Sequence, residues 1–354
     1  MADNSDLLKA QHLLVRGTNW IGDVIMSLPA LKAVKKSLPD ARIEVLAKPW
    51  VADLYRLSPC VDDVIVFRSP GMHDGVTGKF RLAGELNSRG FDAALLLQNA
   101  IEAAIITFLA RIPVRAGYST DGRRFLLTHP VKKRKGVESL HQMYYYLEMV
   151  QALGFNEDPG EFLIQPDARS LERVETMLRE EGVGEDERLV GIAPGAAYGP
   201  AKIWFADRFA ALADRLMENF SVRIVLLGSG ADADHAVAVS ENARHSFVNL
   251  AGRTSLAEAV ALISRCSLFV SNDSGLMHLA GGLDRPLIAV FGSTDPRVTS
   301  PLGARSHVVY RQVSCSPCFK KVCPGDFRCM DAVTVDEVYE LAVHLLAGRE
   351  VSEL

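Results

Sequence analysis

Short runs of Val, Ile and Leu recur along the chain, separated by segments whose apolar positions repeat every three or four residues. The runs fall at 13–16, 42–47, 63–67, 93–97, 189–193, 223–227, 268–271 and 287–291, and none alternates strictly between polar and apolar. That pattern suits strands covered on both faces rather than strands with one wet face. The segments between them predict helices of about 10–15 residues. Val24, Leu28, Leu31 and Leu38 mark one apolar face, and Phe209, Leu212, Ala213 and Leu216 mark another. Strand and helix alternating in this way predict an α/β chain of parallel sheets with helices on both sides.

The pattern occurs twice. LLVRGTNWIGDVIMSLPALKAVKKSLPDARIEVLA opens one half and LVGIAPGAAYGPAKIWFADRFAALADRLMENFSVRIVLLG opens the other. Each reads as strand, glycine-containing loop, helix, strand. A charged helical stretch at 168–181, preceded by Gln165-Pro166-Asp167, separates the halves. The domains expected are therefore 1–167 and 168–333, followed by a terminal helix over 334–354. Thr334 and Glu337 have the spacing of a capping box at the start of that helix. A length of 354 residues suits two domains at about 150 residues each.

Composition narrows the function classes. The chain is 48% hydrophobic and 23% charged, as in soluble globular proteins, which excludes a disordered or fibrous chain. A net charge of −4 argues against a globally basic nucleic-acid binder. The opening MADNSDLLKA has no basic region followed by an apolar one, so a signal peptide is not expected and the protein reads as cytoplasmic. AALLLQNAIEAAIITFLA, at 93–110, approaches the length of a membrane span, but Gln98, Asn99 and Glu102 sit in its middle. A central charge is costly in a span, so the segment reads as strand, polar turn and helix. Between 111 and 135, Arg111, Arg115, Arg123, Arg124, Lys132, Lys133, Arg134 and Lys135 face only Asp121. This local excess suits a phosphorylated or membrane-surface acceptor, or else is a solvated loop.

Five segments carry groups suited to chemistry. The first, RGTNWIGD, places Gly17, Gly22 and Asp23 between a strand and a helix. The glycines allow close backbone approach, and Asp23 either offers a free carboxylate or merely caps the helix. The loop is not GxGxxG, so the dinucleotide fingerprint of an oxidoreductase is absent. In the second, Gly195-Ala-Ala-Tyr-Gly-Pro-Ala-Lys202, accessible amides precede a lysine suited to phosphate, unless Lys202 is an ordinary surface residue. The third is Ser271-Asn-Asp-Ser-Gly-Leu-Met-His278. Ser274 and Gly275 would open a helix at a favoured pyrophosphate position, with Asp273 and His278 beside them, or Asp273 or Ser274 caps the helix and His278 is a core residue. The fourth, Phe291-Gly-Ser-Thr-Asp-Pro296, offers Gly292 and Thr294 to a phosphate nest, or is a plain turn. Last, Cys315, Cys318, Cys323 and Cys329 fall within 15 residues. They suit a structural zinc site, a redox-labile pair or unremarkable thiols.

These segments together resemble one family, the bacterial ADP-heptose:lipopolysaccharide heptosyltransferases of glycosyltransferase family 9, and within it the type II members. The resemblance rests on RGTNWIGDVIMSLPAL, PGAAYGPAKIWF, SNDSGLMHLA and FGSTDP, with GYSTDGRRFLLTHPV and HQMYYYLEMVQALG in support, and covers nearly the whole chain. PGAAYGPAK is the segment that points to type II. The resemblance implies a GT-B fold, two Rossmann-like domains with parallel sheets facing a cleft, and a terminal helix packing back towards the N-terminal domain. It implies inverting transfer of L-glycero-D-manno-heptose from ADP-heptose to the first heptose of the inner core of lipopolysaccharide. The acceptor would be heptosylated Kdo-lipid A at the inner face of the inner membrane, reached without a transmembrane segment. Asp23 matches the family's catalytic base. Gly22, Gly195, Lys202, Asp273, Ser274, Gly275, His278, Gly292 and Thr294 match substrate-binding positions. Asp232 is chosen as the ribose-binding acid, in a loop, GSGADADH, that aligns poorly. Asn99, Arg123 and Arg124 are placed on the acceptor side, although Gln98-Asn99-Ala100 departs from the family's pattern of a proline and a serine around the asparagine. If Lys202, the Ser274 and Gly275 amides and a helix dipole stabilise departing ADP, no divalent cation or other cofactor is required for catalysis. Type I or III transfer, another acceptor, or a non-catalytic nucleotide-sugar binder are the competing readings.

Overall fold

The computed structural model describes residues 4–158 and 164–348. The chain divides into two compact units, Met1–Ile164 and Gln165–Leu354. The strands of the first are β1 (His12–Arg16), β2 (Arg42–Ala47), β3 (Asp63–Val66), β4 (Ala93–Leu96), β5 (Val114–Tyr118) and β6 (His129–Val131). Those of the second are β7 (Arg188–Ala193), β8 (Val222–Leu226), β9 (Val248–Asn249), β10 (Cys266–Asn272), β11 (Leu287–Phe291) and β12 (Ser306–Tyr310).

The first sheet runs β3-β2-β1-β4-β5-β6 and the second β12-β11-β10-β7-β8-β9. Every pairing in both is parallel. Taken from its opposite edge, the second sheet has the strand order of the first: third, second, first, fourth, fifth, sixth within its unit. Both units therefore have the Rossmann order, and in both the chain reverses direction across the sheet between the first and fourth strands.

The eight strands expected from continuous apolar runs are all present. The four not expected are β5, β6, β9 and β12. Three of these are edge strands. β9 has two residues, β6 has three including Pro130, and β12 is mostly half-exposed. Such strands bury too little for an apolar run to mark them. β5 carries Arg115, whose Nε donates to the Leu126 carbonyl at 2.7 Å, so its charge hides a strand position.

Two helices differ from expectation. Ile21–Ser37 buries residues around nearly its whole circumference, Val24, Ile25, Met26, Leu28, Ala30, Leu31, Ala33 and Val34 among them, not one stripe. It lies against the helix Gln142–Ala152. The terminal helix Val335–Leu346 does not leave the second unit. Val338, Leu341, Ala342 and Leu346 join that unit's core, and Arg215 bridges to Asp336 at 2.5 Å while its guanidinium lies 3.9 Å over Tyr339. The helix's apolar face is thus used within the second unit. The segment 93–110 folds as β4, a turn and the helix Ile101–Leu109. No helix among the described residues is long and apolar enough to cross a membrane.

Candidate active site

In open parallel sheets, ligands bind outside the carboxyl ends of the strands, where the strand order reverses. In the second unit that point lies between β7 and β10. Beyond β7 the chain enters PGAAYGPAK, and beyond β10 it enters Asp273-Ser274-Gly275. The two loops are laced together. Asn272, fully buried, donates from Nδ2 to the Pro194 carbonyl at 2.7 Å and accepts from the Trp204 amide at 2.9 Å. Trp204 is wholly buried, packs edge-on against Phe209 and donates its indole N–H to the Val333 carbonyl at 3.0 Å. The loop ending in Lys202 is thus pinned at both ends to a rigid core.

Lys202 Nζ lies 2.5 Å from Asp273 Oδ2, with side chains only 12% and 4% exposed. The hydroxyl of Thr294, in the loop after β11, donates to the same oxygen at 2.5 Å. Lysine, carboxylate and hydroxyl therefore converge from three strand ends. An ionised carboxylate only accepts hydrogen bonds, so Asp273 is unsuited to hold a phosphate itself and instead fixes the two donors beside it. Ser274 caps the helix Gly275–Gly282, its Oγ accepting from the Met277 amide at 3.5 Å and standing 3.0 Å from Ser271 Oγ. The cap alternative therefore falls to Ser274 and not to Asp273. His278, 4% exposed, sits on the first turn of this helix. Ser293 is 1% exposed and its Oγ has no hydrogen-bond partner among the described residues.

Gly195 and Asp232 also meet. A Cβ at Gly195 would lie 2.0 Å from Asp232 Oδ1, so only glycine fits. Asp232 Oδ2 accepts from the Ser229 amide at 2.8 Å and from its hydroxyl at 2.6 Å, closing the turn Gly230–Asp232 after β8. At Gly292 a Cβ would meet Met330 and, at 3.1 Å, Cys329 Sγ. This glycine answers to packing as much as to ligand approach.

The first unit places Asp23 in the opening turn of the helix after β1, again at its sheet's reversal point. No side chain caps this helix, whose cap residue is Trp20, so Asp23 is not the cap. Its half-buried carboxyl is pushed up to about 6 by burial, partly opposed by a hydrogen bond from the Tyr146 hydroxyl. The phenol of Tyr146 is itself held well above its ordinary value by burial and by Asp23. Gly22 lies just before Asp23 in the same turn. Tyr55 shapes the loop ahead of it: its hydroxyl accepts from the Thr18 amide at 2.9 Å, and a Cβ on Gly17 would lie 2.6 Å from that oxygen. Neither Tyr55 nor Tyr146 is evident from sequence spacing; Gly17 is the only signal of a close neighbour.

Of the acceptor-side residues, Arg123 is the most deeply placed. It is wholly buried, donates from Nε to the Tyr118 carbonyl at 2.8 Å and from its guanidinium to the Gln98 carbonyl, and reaches Asn99 Oδ1 at 3.1 Å. Burial lowers its pKa to about 10. It braces the loop after β4. Asn99 also donates to the Tyr145 hydroxyl at 2.5 Å, while Arg124 is exposed.

The zinc expectation is not supported. Cys315, Cys318, Cys323 and Cys329 line one pocket, yet no three His, Cys, Asp or Glu side chains among the described residues are grouped to hold a metal. Cys315 is exposed, Cys318 and Cys323 half-exposed, and Cys329 buried. Burial and the neighbouring thiols raise the Cys329 pKa, favouring the protonated form over the thiolate that a metal requires.

With this geometry established, known proteins sharpen its meaning. The sequence profile of glycosyltransferase family 9 (heptosyltransferase) matches residues 79–327. Lipooligosaccharide heptosyltransferase 2 of Haemophilus influenzae is 32% identical, over 84% of this chain and 88% of that protein. Lipopolysaccharide heptosyltransferase 2 of Salmonella typhimurium is 33% identical, over 84% and 87%. Relatives named heptosyltransferase 1 and 3 are more distant. Among solved structures, ADP-heptose LPS heptosyltransferase II of Escherichia coli superposes with a TM-score of 0.81 at 26% identity, covering 95% of this chain and 99% of that one. Two Rossmann-ordered units, an acid at one reversal point and a lysine–carboxylate–hydroxyl set at the other thus accompany a sequence match across most of the chain, and the protein belongs to glycosyltransferase family 9, the heptosyltransferases.

Proposed function

We propose that the protein transfers L-glycero-D-manno-heptose from ADP-heptose to the first heptose of the lipopolysaccharide inner core, with inversion at the anomeric carbon. The type 2 relatives support the choice of acceptor. The observation that carries the mechanism is Asp23, a half-buried carboxyl with a pKa raised to about 6 and no ion pair among the described residues. Such a group is ionised at neutral pH and still basic enough to take a proton.

In this reading the acceptor hydroxyl oxygen attacks the anomeric carbon as the bond to the ADP oxygen breaks. The hydroxyl proton passes to Asp23, and ADP leaves with the bonding electron pair. The transition state resembles an oxocarbenium ion, and charge grows on the diphosphate. Lys202, the Thr294 hydroxyl and the amides opening the helix Gly275–Gly282 are the donors assigned to that charge. Asp273 positions the first two, and Asp232 is assigned to the ribose. These donors do the work often given to a divalent cation, so we expect transfer without one. The acceptor carries a lipid, so the protein would work at the inner face of the inner membrane.

The deciding experiment measures ADP release by purified protein with ADP-heptose and either Kdo-lipid A bearing one heptose or the same acceptor without it. Release only with the heptosylated acceptor is the expected result. Release with the bare acceptor instead would make this a type I activity. Tight ADP-heptose binding with no release from either would point to another acceptor.

A further inference from the structure

Two neighbouring helices of the first unit expose large apolar side chains on one face. On Ile101–Leu109, Ile101, Ile105 and Phe108 recur at the spacing of one helical stripe and are 39%, 39% and 51% exposed. On Gly75–Asn87, Val76 and Phe80 are 73% and 57% exposed. The helices touch, and Lys79 of one pairs with Glu102 of the other at 2.8 Å. Between them Phe80 and Phe108 line an open groove of about 790 Å³. A soluble surface rarely gathers apolar side chains this way without a partner.

Arginines fringe the groove. Arg111 and Arg115 line its end, and Arg115 lies 5.5 Å over the Phe108 ring. Arg81 is exposed on the helix that carries Phe80. None of the three pairs with a carboxylate among the described residues, in a protein whose net charge is −4. We propose that this face docks on an anionic lipid bilayer. The aromatic and branched side chains would enter the interfacial layer while the exposed Arg81 and Arg111 meet lipid phosphates, Arg115 being held by the Ile112, Pro113 and Leu126 carbonyls. A second copy of the chain suits the face less well, because a two-fold contact would bring these unneutralised arginines together. The inference deepens the proposed function, whose acceptor is lipid-linked, and rests on it only for its purpose.

The test is flotation of the full chain with vesicles of phosphatidylcholine alone or with about one third phosphatidylglycerol. The wild type should float with the anionic vesicles, less so as salt rises, and hardly at all with the neutral ones. An Ile105→Ser/Phe108→Ser pair and an Arg81→Glu/Arg111→Glu pair should each lower the bound fraction by about tenfold or more. Both should leave the thermal midpoint and ADP release with a water-soluble, delipidated acceptor unchanged. The charge pair lies outside the core, so it remains a fair test if the apolar pair fails to fold. Wild-type protein that floats with neither vesicle, or variants that float as well as the wild type, would overturn the proposal. A dimer in light scattering that the same variants dissolve would assign the face to a second copy instead. Vesicle binding without transfer would refute the function and leave this surface standing.

Discussion

Asp23→Asn makes a two-sided test, since the property that suits Asp23 to the proposed base role also costs stability. The carboxyl sits at about 6 in the folded protein against an ordinary 3.8, chiefly because it is buried. It therefore holds its proton more tightly folded than unfolded. Below pH 3.8 both states are protonated and burial of the group is nearly free. Above pH 6 both are ionised, and the folded state bears the full cost, about 3 kcal/mol for this difference at 1.36 kcal/mol per tenfold step. Asparagine removes the charge, keeps the shape and can still accept from the Tyr146 hydroxyl. The variant should thus be more stable than wild type by up to ~3 kcal/mol near pH 8, and by about half of that near pH 5. It should also lose about 10²–10⁴-fold in kcat while ADP-heptose binding is kept. Calorimetry at the two pH values reads the first effect, and ADP release against pH reads the second. Wild-type kcat/KM should rise with pH through about 6 and then level. Tyr146→Phe removes a hydrogen bond to the carboxylate and should move that rise to higher pH. An Asp23→Asn enzyme that turns over like wild type would refute the base assignment. A stability gain that does not grow with pH would refute burial as the cause of the raised pKa.

Substitutions at three further positions test the remainder of the site. Lys202→Ala should raise the donor KM and lower kcat together, because the diphosphate is held in both ground and transition states; unchanged constants would return Lys202 to the role of a surface lysine. Gly195→Ala, whose Cβ would fall 2.0 Å from Asp232 Oδ1, should lower stability by about 1–3 kcal/mol and weaken ADP-heptose affinity, both readable by calorimetry and titration. Arg123→Ala strips bonds from the Tyr118 and Gln98 carbonyls and from Asn99, and should cost about 2–5 kcal/mol; Arg123→Lys should restore little, because one ammonium does not reproduce the planar fork, and full rescue would contradict the bracing role.

What the sequence revealed followed from burial. Strands covered on both faces had no choice but a continuous apolar run, so β1, β2, β4, β7, β10 and β11 were all legible, and with them the loops at the two reversal points. Edge strands are held by neighbours and bury little, so β6, β9 and β12 left no such trace. The same asymmetry governed the site. Gly195, Lys202, Asp273 and Thr294 lie in loops whose small and polar residues stand out between apolar strands. Tyr55, Tyr146, Asn272 and Trp204 do equally specific work, yet each resembles an ordinary core residue until its partner is known. Arg123 shows the converse: its charge stands out in a basic stretch, whereas its three partners, the Tyr118 carbonyl five residues before it and the neighbouring Gln98 carbonyl and Asn99 side-chain oxygen, are evident only in the fold.

The two central carboxylates show how one scaffold assigns opposite roles to the same side chain. Each lies past the carboxyl end of a strand at a reversal point, Asp23 after β1 and Asp273 after β10. Asp273 has a lysine and a threonine hydroxyl at 2.5 Å, so its charge is neutralised and its lone pairs are engaged. What it offers is the placing of two donors. Asp23 is buried against water with one phenol hydrogen bond, so its charge is poorly compensated and its affinity for a proton rises. Exchanging these environments would exchange the roles: a cation beside Asp23 would lower its basicity, and removing Lys202 would leave Asp273 a bare carboxylate where departing diphosphate needs positive charge. The Lys202→Ala variant accordingly loses more than one contact, since it also turns Asp273 from a support into a repulsive charge. Lys202→Ala/Asp273→Asn should therefore recover part of the donor affinity that Lys202→Ala loses. If the double variant binds ADP-heptose more weakly than Lys202→Ala, Asp273 contacts the donor directly and its positioning role is wrong.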